Sequence, residues 1–221
     1  MDFDVFLFDF DGLLVDTEPL HFQAYREMCR RRGCELAWDL NQFFEAAHFD
    51  ANGLRDRIYA TFPRLQKEEP RWDVLYREKK AIFQEILENG KIELMPGVEE
   101  MLTRLEQEKR KRAVVTNSTL QQVSVVKERV PLLGTIPLWI TREDYQFAKP
   151  NPECYKLAIS RLGKKGDRVV GFEDSTRGLK ALLGAGADLG VLICAPNHPQ
   201  MKEGLPEGAV YFSSFTQFLN N

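Results

Sequence analysis

Two apolar runs each stop at a pair of carboxylates. The run that begins at Val5 meets Asp9-Phe10-Asp11-Gly12, and the run from Arg168 to Phe172 meets Glu173-Asp174-Ser175. Residues i and i+2 of an extended chain point to one side, so Asp9 and Asp11 would share a face where a dry strand reaches water. Like charges this close are costly unless one is protonated or a cation binds them. A hard divalent ion with oxygen ligands meets that need, and Mg²⁺ suits it. Gly12 then permits a turn that other residues would strain to make. An acidic strand end can also be a simple cap, but two such pairs at two strand ends are hard to ascribe to capping alone.

Two further groups could serve an anion. Thr116-Asn117-Ser118 closes the run Arg112 to Thr116, and hydroxyl and main-chain N–H groups at a strand-to-helix junction make a place for negative charge. Ser118 or Thr119 could equally be the N-cap of the next helix, as Asp174 or Ser175 could be for a helix from Thr176 to Leu183. Lys149-Pro150-Asn151-Pro152 precedes another helix, with Pro152 suited to its first turn. Beside several carboxylates, Lys149 becomes a candidate charge balancer.

These residues need a frame that brings them to one edge. Val5 to Phe10, Arg112 to Thr116, Leu138 to Thr141, Arg168 to Phe172 and Leu189 to Cys194 read as short buried strands, with Val210 to Phe212 as a possible edge. Amphipathic helices lie between them, one marked by Val98, Met101, Leu102 and Leu105, another by Tyr155, Leu157, Ala158 and Leu162. The alternation predicts an α/β protein: a Rossmann-like three-layer α/β/α core on a parallel sheet. Residues 16–91 break the pattern and show only helical periodicity. One face carries Phe22, Tyr25, Met28 and Cys29 up to a C-cap at Gly33. Another segment runs over Phe43 to Ile58 with a break near Asn52-Gly53, and a longer helix carries Trp72 to Leu87. The expected division is a catalytic core of residues 1–15 and 92–221 with an all-helical cap domain of residues 16–91. The insertion leaves from the end of the first strand, the edge where open α/β sheets bind ligands.

Composition narrows the function. The 221 residues carry a net charge of −3 with a pI near 5.8, which offers no basic field for nucleic acid. At 43% hydrophobic and 11% aromatic, the chain can build a core. No apolar run reaches the roughly 20 residues of a membrane span, and no signal peptide is visible at Asp2 and Asp4. The expectation is a cytoplasmic protein that works without nucleic acid or membrane, as a monomer or weak dimer. Cys29, Cys34, Cys154 and Cys194 are scattered, so neither a zinc site nor a disulfide scaffold is expected. The glycines at 184, 186 and 190 precede a strand instead of following one and read as a helix-ending turn. His198 reads as a loop residue.

In order, DFDGLLVDTE, VVTNS, AKPNP and GFEDS resemble the four motifs of the haloacid dehalogenase superfamily. The helical insertion after the first motif is similar to the cap of its phosphatase and β-phosphoglucomutase-like branch. The resemblance covers essentially the whole chain. It implies that Asp9 attacks phosphorus to form an aspartyl-phosphate, and that Asp11 protonates the leaving oxygen and later activates water. It implies that Thr116 and Asn117, with Ser118, hold phosphoryl oxygens and that Lys149 neutralises charge and orients Asp9. Asp9, Asp174 and the Asp11 carbonyl would bind Mg²⁺, with Glu173 as a ligand directly or through water. In haloalkanoic-acid dehalogenases of the superfamily the position of Asp11 is not aspartate and no metal is used, so Asp11, Glu173 and Asp174 together point to phosphoester chemistry.

The expected partner is a small phosphorylated metabolite, foremost a sugar phosphate. His21 resembles the histidine that couples cap closure to proton transfer in β-phosphoglucomutase-like proteins, though it could equally be an ordinary helix-face residue. Arg55, Arg57, Lys79 and Lys80 are weaker candidates for a second anionic group. A mutase would carry a lysine and an asparagine where Thr119 and Leu120 stand, and an arginine in the loop from His48 to Gly53. Their absence favours a phosphatase over a β-phosphoglucomutase-type isomerase. An inert phospho-ligand binding module is the alternative from another class. A signalling receiver domain fits less well, since its acidic pair and acceptor aspartate lie on different strands.

Overall fold

The computed structural model describes residues 2–48, 52–202 and 204–220. In chain order the elements are β1 (Val5–Phe8), α1 (Glu18–Arg31), α2 (Leu40–His48), α3 (Gly53–Thr61), α4 (Pro63–Glu68), α5 (Trp72–Asn89), α6 (Val98–Gln107), β2 (Lys111–Val115), α7 (Leu120–Arg129), β3 (Leu138–Ile140), α8 (Glu153–Leu162), β4 (Val169–Glu173), α9 (Thr176–Gly184), β5 (Leu189–Ile193), β6 (Ala209–Phe212) and α10 (Phe215–Leu219). They fall into two compact units, Met1–Asp16 with Ile92–Asn221, and Thr17–Lys91.

The first unit is built on a parallel sheet ordered β3-β2-β1-β4-β5-β6 among the described residues. Its middle strands are buried along their whole length, VFLF in β1 and VVGFE in β4, as expected where helices cover both faces. Alternation sorts their side chains. Val5 and Leu7 join Ala113, Val115, Tyr155, Ala158, Leu179 and Leu182 in one cluster under α8 and α9. On the opposite face Phe8 stacks on Phe172 at 5.1 Å, and both rings meet Phe215 of α10. Each fully buried phenylalanine contributes about 1.5–3 kcal/mol. α6 packs beside α10 and buries Val98, Met101, Leu102 and Leu105, the spacing of one helical stripe.

Strand order reverses at β1, with β2 on one side and β4 on the other. Register then decides what meets there. Phe8 is level with both Val114 and Phe172, so one step further Asp9 comes level with Val115 and Glu173. Acidic and hydroxyl-bearing strand ends distant in sequence thus arrive at one edge, the switch point where such sheets bind ligands.

The helical unit rests on the pairing of α1 with α5. Tyr25, Met28 and Cys29 are buried on α1, and Leu75, Ile82, Phe83 and Leu87 on α5. α1 ends as its glycine predicts: Gly33 takes φ +72° and the Cys34 N–H reaches back to the Cys29 carbonyl. The helical segment expected over Phe43 to Ile58 with a break near Asn52-Gly53 corresponds to α2 and α3. α4, which starts at a proline, was not expected. Phe49, Asp50 and Ala51, on which the missing-arginine argument partly rests, lie outside the described residues. Among the described residues no helix is long and apolar enough to cross a membrane.

Candidate active site

The pairing of β1 with β4 does not stop at Phe8. The Asp9 N–H donates to the Phe172 carbonyl at 3.0 Å, and this draws the aspartate against the end of β4. Gly12 then turns the chain at φ +74°, with its N–H bonded to the Val15 carbonyl. Asp9, Glu173 and Asp174, all buried, each bring a carboxylate oxygen within 4.8 Å of the others.

Lys149 enters this cluster from the segment before α8. Its Nζ lies 2.5 Å from Asp9 Oδ1, 2.7 Å from Glu173 Oε1, 2.8 Å from the Val115 carbonyl and 3.2 Å from the Tyr155 hydroxyl. Burial alone would lower the lysine's pKa, but Asp9 and Glu173 reverse this and hold it above its usual value, so the ammonium persists. The Asp9 carboxyl moves the other way. Burial, reinforced by Glu173 and Asp11, pushes it up to about 7 against the pull of Lys149.

Glu173, 1% exposed, is fixed from two further directions. The Tyr155 hydroxyl donates to its Oε1 at 2.5 Å. On the other side, a Cβ on Gly178 would come 2.0 Å from Oε2, so the first turn of α9 can pass the carboxylate only as glycine. Burial, Glu173 and Asp9 all push the Tyr155 pKa upward, which keeps the phenol a donor.

The capping ambiguities resolve in one direction. Thr119 caps α7, exchanging bonds with Gln122 in a capping box. Ser118 is therefore released, and its Oγ donates to Asp11 Oδ2 at 2.5 Å. Likewise Ser175 caps α9 by accepting from the Gly178 N–H, which leaves the Asp174 carboxylate to the acidic cluster. Pro152 is the N-cap position of α8 and not part of its first turn as expected. Thr116, 1% exposed, accepts the Ser118 N–H on Oγ1 at 2.9 Å and keeps its hydroxyl proton to give. Asn117 is exposed, with Oδ1 2.6 Å from the Tyr145 hydroxyl. His198 is in a loop but buried, and its Nδ1 accepts the Gln200 N–H.

His21 belongs to the helical unit. Its Nδ1 is 2.5 Å from Lys79 Nζ, and its ring stacks on Phe83 with centroids 3.8 Å apart. An ammonium can only donate, so this nitrogen is the acceptor. Lys79, 3% exposed, also faces the rings of Tyr25 and Phe83. Arg55 pairs with Asp56, Arg57 with Glu45, and Lys80 lies over Tyr76.

Sequence reasoning missed Tyr155, Tyr145 and Gly178. Tyr155 lies on the apolar helical face that the sequence pattern assigns to the core. The available signal was a hydroxyl buried six residues after Lys149. Gly178 also left a trace, since glycine early in a helix is unfavourable by up to about 1 kcal/mol. Nothing in the sequence around Tyr145 marks it.

The donor set fits a hard divalent cation. Asp9, Glu173 and Asp174 share one buried volume, Lys149 pairs with two of them, and the Asp9 carboxyl is pushed up to about 7, a shift that an added positive charge would reverse.

The family model for haloacid dehalogenase-like hydrolases matches residues 3–186. The chain is 31% identical over 182 residues to the phosphorylated carbohydrates phosphatase of Thermotoga maritima, covering 82% of this chain and 81% of that protein. It is 30% identical over 189 residues to protein CbbY of Cereibacter sphaeroides, covering 83% and 81%. Among solved structures, CbbY from Rhodobacter sphaeroides in complex with phosphate shares the fold with a TM-score of 0.76 at 24% identity, over 98% of this chain and 96% of that one. A β-phosphoglucomutase-type structure from Thermotoga maritima gives 0.70 at 27% identity, over 98% and 97%.

Proposed function

Because the chain belongs to the haloacid dehalogenase-like hydrolases, we propose that it is a Mg²⁺-dependent phosphatase of small phosphorylated metabolites, foremost sugar phosphates, acting through an aspartyl-phosphate on Asp9. The observation that carries this reading is the buried meeting of Asp9, Glu173 and Asp174 with Lys149. A carboxylate held by an ammonium where the strand order of a parallel sheet reverses supports reading Asp9 as a nucleophile.

Lys149 orients Asp9 and offsets the negative charge that a phosphoryl group brings. Asp9 attacks phosphorus, forming an O–P bond as the bond to the substrate's ester oxygen breaks. Asp11, steadied by Ser118, gives its proton to that departing oxygen. It then takes a proton from the water that attacks the aspartyl-phosphate, releasing phosphate and restoring both aspartates. Thr116 and Asn117 donate to the phosphoryl oxygens. Asp9, Asp174, Glu173 and the Asp11 carbonyl would hold Mg²⁺, which when bound favours the ionised carboxylates and neutralises charge on the transferring group.

The sugar-phosphate assignment draws on the Thermotoga maritima relative, which is named a phosphatase of phosphorylated carbohydrates. Hydrolysis is favoured over isomerisation by the residues after Ser118. Thr119 is committed to capping α7, and Leu120, 59% exposed, brings no polar group.

Phosphate release from sugar phosphates, nucleotides and phosphoglycolate, with Mg²⁺ and with chelator, tests the proposal. Asp9→Asn should remove turnover while leaving the circular dichroism spectrum intact. An Asp9→Asn protein that keeps most of the activity refutes the mechanism. Interconversion of hexose 1- and 6-phosphates in place of release would install the mutase.

A further inference from the structure

Asn117 is exposed, and an exposed amide ordinarily turns freely. Here it is tethered. The Tyr145 hydroxyl lies 2.6 Å from Asn117 Oδ1 and 2.8 Å from the Thr116 carbonyl. Tyr145 is itself only 7% exposed, and its surroundings hold it still. The preceding turn is closed by Asp144 on the Thr141 N–H and hydroxyl. Arg142 donates to the Tyr145 carbonyl at 2.7 Å and places its guanidinium 5.1 Å from the ring centroid.

A phenol has one proton, and this one faces two acceptors. If the proton goes to the Thr116 carbonyl, the phenol oxygen can only accept. The amide then turns its Nδ2 inward and presents Oδ1 outward. If the proton goes to Oδ1, both Nδ2 hydrogens face outward. A phosphoryl oxygen only accepts, so the second arrangement alone lets Asn117 bind it.

We propose that Tyr145 is a positioning residue whose hydroxyl captures Asn117 Oδ1 and so presents the Asn117 amide hydrogens to the phosphoryl group. The inference rests on the phosphatase reading above. Its consequence is a coupling: an arriving anion draws the phenol proton from the Thr116 carbonyl to Asn117. Burial pushes the Tyr145 pKa upward, so the proton is available throughout the neutral range.

Tyr145→Phe keeps the ring and removes the hydroxyl. The probe is inorganic phosphate, read as a competitive inhibitor of sugar-phosphate hydrolysis and by calorimetry in the presence of Mg²⁺. Losing one oriented neutral hydrogen bond should raise the phosphate Ki and the KM by about three- to tenfold, with a smaller change in kcat. In an Asn117→Ala background the same substitution should add nothing. Asn117→Asp, which keeps an acceptor for Tyr145 but has no N–H, should weaken phosphate more than Asn117→Ala. Equal losses from Tyr145→Phe in both backgrounds overturn the proposal and assign the hydroxyl to the Thr116 carbonyl. So does a Tyr145→Phe protein that fails to fold, or one that binds phosphate as the wild type does. Absence of phosphate release from the unmodified protein refutes the phosphatase reading instead, while calorimetry on the same five proteins still reads the role of Tyr145.

Discussion

Gly178→Ala sets two effects of known size against each other. Replacing glycine by alanine inside a helix ordinarily stabilises by up to about 1 kcal/mol. At this position the new Cβ would stand 2.0 Å from Glu173 Oε2, whereas ordinary contact starts near 3.4 Å, so about 1.4 Å of movement is required. The carboxylate is 1% exposed and bound to Lys149 at 2.7 Å and Tyr155 at 2.5 Å. Displacing it that far breaks at least one hydrogen bond to a charged group, a loss of about 1.5–3 kcal/mol. The clash wins, and the protein should be destabilised by about 0.5–2 kcal/mol despite its better helix former. The same displacement loosens Lys149 from one of its two anions, and kcat should fall about ten- to hundredfold. Thermal unfolding followed by circular dichroism gives the first number and phosphate release at saturating Mg²⁺ the second. A Gly178→Ala protein with a higher Tm and unchanged kcat would show that Glu173 has no fixed position to lose.

Ser118→Ala removes the donor on Asp11 and should lower kcat by about tenfold or more while Tm barely moves, since α7 is capped by its neighbour. Thr119→Ala should do the reverse, costing about 1 kcal/mol of stability in urea titration with kcat/KM unchanged; equal kinetic losses in both variants would contradict the division of labour between these hydroxyls. Asp174→Asn should raise the Mg²⁺ concentration for half-maximal rate by more than about tenfold, the loss an outer-shell partner alone can cause. An unchanged Mg²⁺ titration would remove Asp174 from the metal site.

Much of this site is readable because burial and charge conflict at strand ends. An apolar run that stops at Asp9, or at Glu173 and Asp174, announces a strand end where charge must find a partner. The same rule places the strands within a residue or two, since a parallel strand buried on both faces leaves few polar options. Capping was less legible. Ser118 and Thr119 are adjacent and chemically alike, and only the backbone turn decides which one faces Gln122. Tyr155 was hidden by its ring, which satisfies the hydrophobic pattern of α8 while its hydroxyl serves Glu173. Tyr145 was hidden by distance, since its partner lies 28 residues away and no periodicity links a loop to a strand end. In the helical unit, the stripes of α1 and α5 were plain, but α4 is too short for periodicity to register.

The position of β1 has a consequence for how the protein is made. This strand precedes both of its partners in the chain, yet it lies mid-sheet between β2 and β4. From Phe8 to Val169 the ribosome adds 161 residues, about 8–32 s at typical synthesis rates of about 5–20 residues per second. Throughout that interval the apolar segment VFLF has no β4 to pair with on one side. Glu173, the last residue of β4, is also one of the two anions on Lys149. No nascent fragment that stops short of β4 can assemble the acidic cluster, so none of them carries the complete site.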